Sequence, residues 1–140
     1  MSNGLDVALM KDPFGEWSPN DGDRHTEIAF SDPEWYSFFF NTLGAKRLER
    51  EFGVKYDEAF YARDNMAFKE SLKEFPLLAR IEEFYQDAGF AIGEIPALQD
   101  ELKRAAKLQL DPEGRAFLEG MLTATELAIS AQMGISLHSS

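Results

Sequence analysis

Between Asp111 and Gly134 the sequence reads as one long helix, and the remaining chain must pack around it. Asp111 suits the capping position, Pro112 the first turn, and Gly134 the left-handed position beyond the end. Arg115, Glu119, Thr123, Glu126 and Ser130, spaced by three or four residues, draw a single polar line. The other positions are mostly apolar, including Phe117, Leu118, Met121, Leu122, Leu127 and Ile129. A helix apolar around most of its circumference is a buried one, with a narrow stripe left to water. Gly120, Ala124, Ala128 and Ala131 recur along one side and admit a close neighbour. At about 1.5 Å per residue the helix spans roughly 30 Å, the width of a small domain.

A length of 140 residues suits a single domain with one core. Residues 1–30 are open between a packed segment and a loosely packed N-terminal arm. The chain has no cysteine, so it holds no disulfide, thiolate metal site or cysteine nucleophile. Twenty-five carboxylates against fourteen Lys and Arg give a net charge of −11. The excess is uneven, with eight acids and two bases in residues 1–40 and seven acids and one base in 74–101. Such a field repels nucleic acid and anionic membrane surfaces and attracts basic proteins. Acidity also serves solubility alone. No run of about 18 apolar residues is free of charge, so no membrane span is expected. Residues 1–10 lack a basic n-region, so no secretory signal is expected and a cytoplasmic location fits best.

Along the chain, Leu5–Met10 and Thr26–Phe30 are short candidate strands separated by a turn-rich segment with Pro13, Gly15, Pro19 and Gly22. Ser31-Asp32-Pro33-Glu34 carries helix-start chemistry, and the helix it opens runs to about Gly44. Ala45–Phe52 and Asp64–Phe75 continue with helical character, and Val54–Tyr61 is ambiguous. Pro76 restarts a helix in which Leu77, Ile81, Phe84 and Ala88 share a face, closed by Gly89. Glu94-Ile95-Pro96 opens the next helix, with Ile95, Leu98, Leu102, Ala105 and Gln109 in register and Asp100, Glu101, Lys103, Arg104 and Lys107 outside. The short connection at 109–111 makes it antiparallel to the helix that follows. Ile135–His138 is a candidate strand for pairing with the N-terminal one. These elements predict a mainly α single-domain helical bundle around the C-terminal helix, with a small sheet from the chain ends.

Few residues point to chemistry. Asp23, His25 and Glu27 alternate and are metal-ligand types, yet they read equally as an exposed polar strand edge, and the EF-hand order is not met. Glu82/Glu83 and Asp100/Glu101 are adjacent pairs, about 100° apart on a helix, so neither is a preformed dyad. Glu83 and Asp87 share a face but read as solvated. Glu119 and Glu126 are either buried partners of Arg115 or a wet seam. The two histidines, His25 and His138, lie at opposite ends of the chain, and no Gly-x-Ser-x-Gly, Walker or Gly-x-Gly-x-x-Gly motif occurs. Trp17 and Phe14 sit among Asp12, Glu16, Asp21 and Asp23, the composition a binding surface for a basic partner would use.

Phe75–Asp87 (FPLLARIEEFYQD), Glu94–Leu98 (EIPAL) and the Phe117–Ala128 helix with Leu137 resemble the small acidic immunity proteins of bacterial toxin–immunity systems. The resemblance implies a non-enzymatic inhibitor that masks a cognate toxin, and no site residue is carried over from it. The expected function is therefore a cytoplasmic protein-binding inhibitor of a basic toxin domain. It needs no cofactor or metal, binds neither nucleic acid nor membrane, and is monomeric or homodimeric. The expected contact residues are Glu16, Trp17, Asp21, Asp23, Glu82, Glu83, Asp87 and Glu94. The alternatives are a metal-dependent or carboxylate-based enzyme, and an oligomeric scaffold joined through the small-residue side of the long helix.

Overall fold

The computed structural model describes residues 4–14, 24–43, 73–81, 88–108 and 110–139. Four strands form one antiparallel sheet: β1 (Gly4–Met10), β2 (Arg24–Ser31), β3 (Ala88–Phe90) and β4 (Gly134–Ser139), in the order β2-β1-β4-β3. Three α-helices are described, α1 (Asp32–Tyr36), α2 (Ile95–Ala105) and α3 (Pro112–Ala131). A π-helical stretch, Ser37–Leu43, continues α1, and 3-10 turns lie at Leu78–Ile81 and Ile92–Glu94.

β1 is the centre of the molecule. Leu5, Val7 and Leu9 alternate onto the face that holds the hydrophobic core. Ala8 and Met10 point the other way and are also buried, so the strand is apolar on both sides. It pairs with β4 from Leu5 opposite Ser139 to Met10 opposite Gly134, joining the two chain ends as the pattern predicts. A register shift between Asp6 and Ala8 breaks its pairing with β2. There the Thr26 hydroxyl donates to the Val7 carbonyl at 2.9 Å.

The sheet corrects the expectation of a helical bundle. A short run such as Leu5–Met10, apolar but for Asp6, has no period that separates strand from buried helix, and its burial on both faces is what a central strand requires. The helix expected from Pro76 to Gly89 is likewise replaced by a 3-10 turn at Leu78–Ile81 and by β3. Of the expected face, Ile81 and Ala88 are buried and Leu77 is half-buried, while its neighbour Leu78 is buried; Phe84 lies outside the described residues. Part of what could have been an N-terminal arm, residues 4–10, is the central strand itself.

The helix boundaries follow their capping chemistry. Ser31 and Glu34 complete a capping box at α1, the Glu34 carboxylate accepting from the Ser31 N–H at 3.0 Å. Asp111 caps α3 by accepting from the Gly114 N–H at 2.8 Å, and also accepts from the Ser37 hydroxyl, which ties α3 to the π-helical stretch. The left-handed residue after α3 is Gln132, at φ 56°, and not Gly134. Gly134 answers a different demand. A Cβ there would stand 2.5 Å from the Phe90 carbonyl and 2.8 Å from the Pro13 ring. Gly134→Ala is therefore expected to cost about 1–3 kcal/mol through forced backbone movement, read as a lower urea midpoint at unchanged m-value.

The polar line of α3 faces water as predicted, with Arg115, Glu119, Thr123, Glu126 and Ser130 all exposed. Its small-residue side packs on the sheet: a Cβ on Gly120 would meet the Phe30 ring at 2.5 Å, and Ala124 and Ala128 are buried. That side is already occupied, so it cannot join a second copy as the scaffold reading required. Gln99 in α2 donates to the buried Thr125 hydroxyl at 3.2 Å, which fixes the antiparallel α2–α3 pair. The expectations for 45–72 lie outside the described residues.

Candidate functional site

Of the expected contact residues, Glu16, Trp17, Asp21, Asp23, Glu82, Glu83 and Asp87 lie outside the described residues, and Glu94 lies within them. Glu94 ends the 3-10 turn that follows β3. Arg80 reaches it from the Leu78–Ile81 turn in a bidentate pair, Nη1 donating to Oε1 at 2.9 Å and Nη2 to Oε2. The same carboxylate accepts the Ala91 N–H at 3.0 Å. These donors favour the charged form, Arg80 most of all and then Ala91, and lower the carboxyl from 4.5 to about 2. Glu94 is thus committed to its own fold before any partner arrives.

A depressed carboxyl stabilises the fold above its unfolded value, and that contribution disappears as pH falls towards the folded one. The stability difference between the native chain and Glu94→Gln is accordingly expected to be full at pH 6 and to shrink between pH 4.5 and about 2. Urea denaturation at stepped pH reads it.

Arg80 is the hub of this corner. Its Nη1 also donates to the Gly89 carbonyl at 3.0 Å, and its guanidinium lies 5.5 Å from the centre of the Phe90 ring. On Gly89 sits the turn that leaves β1: a Cβ there would be 2.6 Å from the Pro13 carbonyl and 3.1 Å from the Phe14 ring. The Phe14 N–H donates to the Asp12 carboxylate at 3.2 Å, a local turn brace. A glycine floor and this brace hold the backbone while the Phe14 ring stays 67% exposed, the most exposed large apolar side chain described.

The metal reading gains no support. Asp23 is outside the described residues, His25 lies in β2 opposite Ala8, and Glu27 is exposed. No group of three or more metal-ligand side chains occurs among the described residues. The two histidines stay apart in the sheet: His25 in β2 lies opposite Ala8 and His138 in β4 opposite Asp6, on either side of β1. Ser136, opposite Ala8 in β1, is buried.

Two carboxylate expectations divide. Glu119 and Glu126 are the wet seam, exposed alongside Arg115. Glu101, expected on the outer face of α2, is instead only 4% exposed, and its carboxylate accepts the N–H groups of Leu77 and Leu78 at 3.0 Å. Its spacing from Leu98 (three residues) and Ala105 (four) was the available signal, since it places Glu101 on the flank of the apolar stripe.

No family model, curated protein or solved structure matches this chain. No described helix is long and apolar enough to cross a membrane. Among the described residues, the exposed Phe14 ring projects from a braced turn beside exposed Asp12, on a chain of net charge −11.

Proposed function

We propose that the chain is a cytoplasmic protein-binding inhibitor, of the kind represented by immunity proteins, that captures and masks a basic toxin domain without chemistry of its own. The observation that carries this reading is the exposed Phe14, held on Gly89 within a strongly acidic chain. Charge draws a basic partner in, and an aromatic anchor slows its departure. The outward residues of α3 add to the field: Glu119 and Glu126 are exposed, and residues 116–140 contain neither Lys nor Arg.

The test is capture by the tagged chain from its native host, elution in a salt gradient, and assay of the captured protein with and without the chain. One stoichiometric basic protein whose activity is lost on binding is the expected result. Its association rate should fall about tenfold or more between low and high salt, as electrostatically steered encounters do. Capture of no basic protein, or of one whose activity is unchanged, would overturn the inhibitor reading.

A further inference from the structure

We draw no further inference here: the strongest candidate, the buried Thr42 hydroxyl that faces Gly114 in the first turn of α3, carries nothing because the Asp111 carboxylate beside the same glycine already caps that helix end and nothing in the structure shows what the hydroxyl would hold.

Discussion

Phe117→Ala is expected to cost about 3–5 kcal/mol, enough to leave a domain of this size barely folded. The ring is fully buried and sits where three parts of the chain meet. Its centre lies 4.5 Å from that of Phe30 in β2, and 4.9 and 5.6 Å from Phe38 and Phe39 in the π-helical stretch. The Phe39 pair is edge-on, a favoured geometry for aromatic quadrupoles. Truncation removes the transfer free energy of the ring and leaves a cavity whose walls belong to a strand, the π-helical stretch and α3. Those elements cannot all move inward together. Phe117→Leu refills part of that space and should cost visibly less. Phe14→Ala, by contrast, should change stability by no more than about 0.5 kcal/mol, because most of its ring is already in water. Urea midpoints of the three variants give the ordering, and a Phe117→Ala value near that of Phe14→Ala would refute this account of the core.

How much of this was legible beforehand depends on whether a local signal had a competitor. Asp111-Pro112 and Ser31-Asp32-Pro33-Glu34 start helices as written, because capping uses side chains and N–H groups within four residues of one another. The stripe Ile95, Leu98, Leu102 and Ala105 is buried as its spacing demands. The sheet was less legible. β3 is three residues long, and Ala88-Gly89-Phe90 carries no alternation that a strand of that length could display. Its place is set by pairing with Ile135 to Leu137, which is tertiary information. Gly134 misled for the same reason, since its missing side chain serves the close approach of Phe90 and Pro13 and not the helix end. At the candidate site, Glu94 was singled out for its charge, but its partner Arg80 and the Gly89 floor under Phe14 depend on the fold.

Glu101→Ala carries the second large expected loss, about 2–4 kcal/mol, through hydrogen bonds and not volume. One carboxylate in α2 receives the Leu77 N–H at 3.0 and 3.1 Å on its two oxygens, and the Leu78 N–H at 3.0 Å. These donors open the Leu78–Ile81 turn, whose first amides have no carbonyl within the turn to accept them. Burying a carboxylate is unfavourable unless such donors compensate it, and burying the donors is unfavourable without the carboxylate. Alanine removes only one side of that arrangement, so the amides remain in a largely buried position with their acceptor gone. Glu101→Gln keeps one carbonyl oxygen and should lose about 1 kcal/mol. The effect has a spatial signature. The turn carries Arg80, so its loosening should release the pair with Glu94 and speed amide exchange at Leu77, Leu78 and Ala91 before the central strand β1 exchanges. Uniform acceleration across β1 and this turn would instead mean that Glu101 contributes only to global stability. Unchanged exchange at Leu77 and Leu78 would show that their amides do not depend on Glu101.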